Sequence, residues 1–269
     1  MSSSPSFDAK SDTKFEDITV QMNGAVAVVT LNRPNKRNAI RDGMVLALEH
    51  TFLHLPEGTR AAVICGEGDH FCAGLDLSEI KGRTAVEGLM HSRQWHRAFE
   101  AIEKGSVPVV AAIHGACVGG GMELAACCHI RVADESAFFA FPEGARGIFV
   151  GGGGSVRAPK LIGTHRMLDM MLTGRVYKAA DAVPIGFAQY LVPTGQAFAK
   201  ALELATRIAT NAHMTNYALL QALPRIAEQT AEHGLLTESL MASIVETAPE
   251  AQARVRDFLE GRAAKVKAE

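Results

Sequence analysis

Between Val107 and Cys128 the chain reads VPVVAAIHGACVGGGMELAACC, and this stretch restricts the fold more than any other. At about 20 residues it is long enough to cross a bilayer. Pro108, His114, four glycines and Glu123 interrupt it, however. The segment is better explained as a buried strand at Val109–His114, a turn of glycines, and a buried helix starting near Gly121–Met122. A strand leading through glycine into a helix is one unit of an α/β chain.

Similar units recur on both sides. Ile18–Met22 and Ala25–Leu31 read as two strands around Asn23-Gly24, a pair suited to a type I′ hairpin. Met44–Leu55 and Arg93–Ile102 carry helical periodicity. Ala61–Cys65, Ile130–Ala133 and Ala137–Phe141 read as strands. From about Pro159 the pattern becomes helical, with segments at Phe198–Asn211, Tyr217–Glu228, Leu235–Val245 and Glu250–Leu259. The expected division is an N-terminal arm at 1–16, an α/β core with a largely parallel sheet at 17–197, and a helical region at 198–269. The last helices carry more apolar surface than a lone hairpin hides, which points to packing on another subunit.

Lys plus Arg is 27 and Asp plus Glu 29, a net charge of −2 with a pI near 6.6. That balance argues against non-specific binding to nucleic acid or an anionic membrane surface. The five cysteines are unevenly spaced, and two are adjacent at Cys127-Cys128. They do not resemble a disulfide framework, so reduced thiols in a cytoplasmic protein are expected. The N-terminus has no apolar core for a secretory signal and no arginine for a transit peptide.

Several familiar motifs fail. Gly119-Gly-Gly121-Met-Glu-Leu124 lacks the third glycine of a dinucleotide fingerprint, neither glycine run continues as a P-loop, and no metal site is expected. Cys127-Cys128-His129 reads as buried small residues, because adjacent side chains diverge on a helix. His114 reads as a hydrogen-bonded core histidine, and Trp95 as helix packing with pocket lining as its second reading.

What survives is three loops at strand ends: His70–Leu77, His114–Leu124, and Phe141–Gly144 followed by Gly151–Gly154. In parallel sheets, ligands bind beyond the carboxyl ends of the strands. Glycine lets backbone N–H groups reach a ligand, and two such donors make an oxyanion hole. Glu123 and Glu143 supply two carboxylates in unlike settings. Glu123, in a first helical turn, is expected to be favoured as the anion. Glu143, after Phe138-Phe139-Ala140-Phe141-Pro142, is expected to have a raised pKa. Such a split separates base from acid. On spacing alone, a helix residue and a turn start remain an equal alternative.

These residues resemble the enoyl-CoA hydratase/isomerase (crotonase) family from Val20 to about Val192, and more weakly beyond. The resemblance rests on Leu31-Asn-Arg-Pro-Asn-Lys-Arg-Asn-Ala39, Phe71-Cys-Ala-Gly-Leu-Asp-Leu77, the GGGMEL run, Phe141-Pro-Glu143, and Leu172-Thr-Gly174 with Ala179–Ala182. It implies a crotonase-like spiral of ββα turns with a C-terminal helical trimerisation region, giving trimers or hexamers. It implies hydration of a trans-2-enoyl-CoA of short or small substituted acyl chain, with Glu123 and Glu143 catalytic. The oxyanion hole would be the N–H groups of Ala73 and Gly120. CoA would lie along Arg37, Ala39, Gly74, Leu75 and Asp76, with Arg33, Lys36 and Arg37 near its phosphates. No cofactor is implied, because CoA is part of the substrate.

The sequence departs from common family hydratases at Val150, His129 and His114, and Arg146 and Phe149 flank the third loop. The alternatives are a hydratase and thioester hydrolase for a substrate such as methylthioacryloyl-CoA or acryloyl-CoA, a Δ3,Δ2-enoyl-CoA isomerase, and an RNA-binding or silent scaffold relative. Gly151–Gly154 is expected to shape the turn behind Glu143.

Overall fold

The computed structural model describes residues 15–80 and 82–263. The expected arm at 1–16 lies mostly outside them. Within them, its last residue, Glu16, pairs with Arg41, and Asp17, the first residue of the expected core, is buried and pairs with Arg41 and Arg33.

β1 (Ile18–Asn23) and β2 (Val26–Leu31) form an antiparallel hairpin in which Asn23 pairs with Val26. The turn residues are thus Gly24 and Ala25, and of these only Gly24 has a positive φ. A type I′ turn needs positive φ at both positions, so the expected Asn23-Gly24 turn is replaced by the pattern that suits type II′. After α1 (Asp42–Leu53), β3 (Ala61–Gly66) pairs parallel with β2. The next helix, α2 (Ala85–Glu103), begins eight residues before the apolar pattern suggested. Its first turns are exposed, and a capping box between Thr84 and Glu87 starts it without help from burial.

β4 (Val109–Ile113) is buried at every position. The chain turns at Gly115 into a short strand, β5 (Ala116–Val118), and then into α3 (Gly120–Cys127). The following turn repeats this with β6 (Ile130–Asp134), β7 (Phe138–Ala140) and α4 (Gly154–Ile162). The four-glycine run opens α4, so that helix starts before Pro159. α5 (Thr164–Thr173), β8 (Tyr177–Lys178), α6 (Ala179–Ala182) and β9 (Tyr190–Val192) complete the spiral.

Each turn gives one strand to each of two sheets. The larger has the order β1-β2-β3-β4-β6-β9 and is parallel beyond the hairpin; the smaller has the order β5-β7-β8. In the earlier turns the second strand shrinks to single bridges, Cys72 to Cys117 and Ile40 to Leu75. This is the expected spiral of ββα turns. Its regularity stacks three strand-to-helix junctions, near Leu75, Gly120 and Glu143, on one edge.

The core has two parts. Phe71, Phe99, Phe139, Phe141 and Phe187 fill the space between the sheet and α1–α6. The opposite sheet face, carrying Val63, Val110, Ala112 and Val132, is covered by Ala197, Ala201, Leu204 and Ala205 of α7 (Ala197–Ala209). The core therefore runs through 209 rather than ending at 197, because α7 buries its apolar stripe on the sheet. The appendage is α8 (His213–Gln221), α9 (Leu223–Ile226), α10 (Ala231–Thr247) and α11 (Pro249–Leu259). Pro224 separates α8 from α9, where one helix was expected. Leu235, Leu236, Leu240 and Ile244 of α10 and Val255, Phe258 and Leu259 of α11 are exposed. No helix of the described residues is long and apolar enough to cross a membrane.

Candidate active site

Glu123 lies in the first turns of α3 and is 4% exposed. Its Oε1 accepts hydrogen bonds from the N–H groups of Gly152 and Gly154, each at 2.8 Å. Glycine is needed here for close approach: a Cβ on residue 154 would lie 2.8 Å from Glu123 Cγ. The run Gly151–Gly154 therefore grips Glu123, rather than shaping a turn behind Glu143 as expected. Gly154 is the first residue of α4, so the helix end aimed at this carboxylate belongs to α4. The expectation of a favoured anion also needs correction. Burial raises the Glu123 pKa, and the two N–H bonds and the Arg157 charge oppose that rise only in part.

A Gly154→Ala variant tests this grip. Its methyl group would displace the carboxylate, and a misplacement of about 1 Å costs on the order of 100-fold in rate. We expect kcat to fall about 10- to 100-fold and unfolding free energy by roughly 1–3 kcal/mol, read from steady-state kinetics and thermal denaturation.

Glu143 follows β7 and is 6% exposed. Its Oε1 would lie 2.6 Å from a Cβ on Gly119, so the carboxyl packs on the turn that leads into α3. Its Oε2 is buried and has no hydrogen-bond partner among the described residues. Burial pushes its pKa up to about 7, its own backbone N–H acts against that, and the nearby Glu123 charge adds to the rise. The direction agrees with the apolar run before it. Glu143, from the loop after β7, thus packs on the turn that leads to Glu123 in α3, and the Glu123 charge acts on it.

The expected donor at Ala73 is corrected by the hydrogen bonding. Ala73 N–H donates to Arg37 O at 2.9 Å and is not free to hold an oxyanion. Two residues on, the N–H of Leu75 has no acceptor among the described residues, and neither does that of Gly120, the first residue of α3. A Cβ on Gly120 would lie 3.3 Å from Leu75 N, so the two N–H groups are neighbours. That position would also be 3.0 Å from Trp95 Cζ3, and a Cβ on Gly152 would be 2.9 Å from Trp95 Cε3. The indole is therefore a buried wall between Gly120 and the loop that holds Glu123. The alternation of bonded and free N–H groups beside a bridge was the signal for Leu75, and it needs the Ile40–Leu75 pairing to be known.

Arg37, Ala39, Gly74, Leu75 and Asp76 lie on one rim. Ile40 N donates to Gly74 O and Asp76 N to Ile40 O, zipping the two segments together. Asn38 fixes the turn, donating to Glu67 O and His70 O. Arg33 does not face outward with Lys36 and Arg37 as expected. It pairs with Asp76 and Asp17 and donates to Ala39 O, so it braces the rim from within. Lys36 and Arg37 remain as exposed cations.

The other candidates are structural. His114 bonds Gly68 O, the His129 ring bridges Val109 N and Glu103 O, and Cys127 and Cys128 are buried. No cluster of His, Cys, Asp and Glu suited to a metal ion occurs among the described residues. A cavity of about 1200 Å³ opens behind the site between α2, α4 and α8–α9; His96, Glu103, Gly153 and Arg157 line it, but Glu123 and Glu143 do not.

The enoyl-CoA hydratase/isomerase family model matches residues 21–268. A short-chain-enoyl-CoA hydratase from Clostridium acetobutylicum is 31% identical over 229 residues, 84% of this chain and 88% of the relative. The fatty acid oxidation complex subunit α of Shewanella amazonensis is 43% identical over 146 residues, 53% of this chain. That match spans only 21% of the much longer α subunit. Among solved structures, one from Rhodopseudomonas palustris, provisionally assigned as an enoyl-CoA hydratase, superposes with a TM-score of 0.90 at 55% identity. It covers 96% of this chain and all of the other.

Proposed function

This chain belongs to the enoyl-CoA hydratase/isomerase family, and we propose that its reaction is the addition of water to a short or small trans-2-enoyl-CoA. The observation that carries this reading is the pair Glu123 and Glu143, two buried carboxylates at one glycine turn, the first gripped by two backbone N–H donors and the second with an oxygen that has no partner among the described residues. Isomerisation needs one group to move one proton, whereas hydration needs a base for water and an acid for carbon.

In this mechanism the thioester oxygen is held by the N–H groups of Leu75 and Gly120. Water sits between the carboxylates. Glu123, as the anion, takes a proton while hydroxide adds to C3. Electrons move through C2 to the thioester oxygen, where each donor contributes about 3 kcal/mol. Glu143, protonated at the start, gives its proton to C2. Glu123 ends protonated and Glu143 ionised, and one proton transfer between them restores the enzyme. No cofactor enters, and CoA arrives with the substrate along the rim from Arg37 to Asp76. The bulk of Trp95 favours a small acyl group.

A thioester hydrolase is the second reading, because a carboxylate beside a polarised thioester is also placed for that attack. The exposed Phe149, 72% accessible beside the third loop, favours a specialised acyl group. The apolar faces of α10 and α11 support a homotrimer or a dimer of trimers. Five buried free cysteines support a reducing compartment such as the cytoplasm.

Crotonyl-CoA tests the reading directly. Loss of enoyl-thioester absorbance without free-thiol release is the expected result. Thiol release in step with that loss would assign a hydrolase instead, and absence of both across short and branched enoyl-CoAs would reject the reaction.

A further inference from the structure

Ser92 sits in the middle of α2, about half-buried, on the helix face that meets the glycine run. A helical serine commonly turns its hydroxyl back to a carbonyl one turn earlier. This one reaches across instead: its Oγ donates to Gly151 O at 2.6 Å. That carbonyl shares a planar peptide unit with the N–H of Gly152. The same N–H donates to Glu123 Oε1 at 2.8 Å. Oγ–H, the peptide and the carboxylate form one continuous chain of donors and acceptors. A bond into the carbonyl polarises the amide and strengthens the bond its N–H makes.

The chain extends one step further back. His96 Nε2 lies 3.3 Å from Ser92 Oγ. Because the hydroxyl proton is committed to Gly151, the imidazole is the donor in this contact. Burial and the charges of Arg93 and Arg157 lower the His96 pKa, and a hydrogen bond to the Gly151 backbone and the Glu100 charge act against that. The next peptide of the turn is held separately: Arg157 Nη1 donates to Gly152 O at 3.1 Å, and Glu103 clamps Arg157.

We infer that Ser92 is a positioning residue for the general base, acting on Glu123 through the Gly151–Gly152 peptide. This inference rests on the hydration reading for the role of Glu123, though not for the hydrogen-bond chain. Without the hydroxyl, the Gly151 carbonyl loses its 2.6 Å Ser92 donor and keeps only the His96 contact, so the Gly152 N–H becomes a weaker donor to the anion. The charged groups facing Glu123, namely Glu143 and Arg157, are untouched by a neutral change at residue 92. Those around His96 are Arg93, Arg157 and Glu100, and they are untouched as well.

The test compares Ser92→Ala and Ser92→Thr in the full chain. In Ser92→Ala, kcat for crotonyl-CoA hydration is expected to fall roughly tenfold with KM within about twofold, the size of one buried hydrogen bond. The acid limb of the kcat profile should move to higher pH, because a less supported anion protonates sooner. Ser92→Thr keeps the hydroxyl and should restore both. A carboxyl-carbon NMR titration of Glu123 reads the same link without turnover, and Ser92→Ala should raise the pH at which that carboxyl titrates. Wild-type kcat with an unmoved limb in Ser92→Ala would overturn the inference. So would a loss shared by Ser92→Thr, or a Glu123 titration identical in all three proteins. A wild-type enzyme inactive on every enoyl-CoA would reject the proposed reaction instead, and the NMR comparison would still decide the link.

Discussion

Replacing Glu143 with glutamine is expected to lower kcat by about 10²–10⁴-fold, the range that general acid–base help supplies, while KM for an enoyl-CoA stays within a few-fold. Glutamine fills the same space against Gly119 but has no proton to give to C2. The pH behaviour should change with it. Glu143 works protonated and its pKa is pushed up to about 7, so wild-type kcat should fall as pH rises through that value. The variant's residual rate should lack this limb. Stability should move the other way. A carboxyl whose folded pKa lies above its unfolded one binds more protons in the native state, so stability is lost as pH rises from about 4.5 towards 7. The loss is on the order of 3 kcal/mol, and Glu143→Gln should avoid it. At pH 8 the variant should therefore melt at a higher temperature than the wild type. Glu123→Gln should lose kcat to a similar degree. Near-wild-type turnover in either variant would remove the two-carboxylate mechanism.

The larger features of this site were legible because local sequence sets them. A fully apolar strand, a glycine turn and a helix at Val109–Cys127 follow from one run of residues, and Glu123 is fixed by its place in that helix. Glu143 was legible by the apolar stretch before it, which also gave the sign of its pKa shift. What escaped depends on partners far along the chain. The ion pairs that turn Arg33 inward come from Asp17 and Asp76. The burial that raises the Glu123 pKa comes from packing against α4 and Trp95, so its setting in α3 alone gave the wrong direction. The glycine run showed that a close approach would occur and gave no sign of which carboxylate makes it. The same reason explains α7: its alanines at 197, 201 and 205 describe a stripe, and only the sheet opposite shows that the stripe belongs to the core.

The choice of oxyanion donor can be tested at the level of single backbone atoms. Replacing the peptide N–H of Leu75 with an ester oxygen, through the hydroxy-acid analogue of leucine, removes one donor and leaves the side chain in place. If Leu75 and Gly120 hold the thioester oxygen, kcat should fall by about 10²–10³-fold, the usual cost of one oxyanion donor. Stability should change little, since this N–H bonds no group among the described residues. The same replacement at Ala73 should give the opposite pattern. Its N–H holds Arg37 O at 2.9 Å, so the ester should cost about 1 kcal/mol of stability and leave kcat within a few-fold. The contrast arises from the pairing of Ile40 with Leu75. Ile40 takes up Gly74 O and Asp76 N, which leaves the N–H between them pointing away from Ile40 and towards Gly120. An ester at 73 that abolished turnover, beside an ester at 75 that did not, would reverse this assignment and return the donor to Ala73.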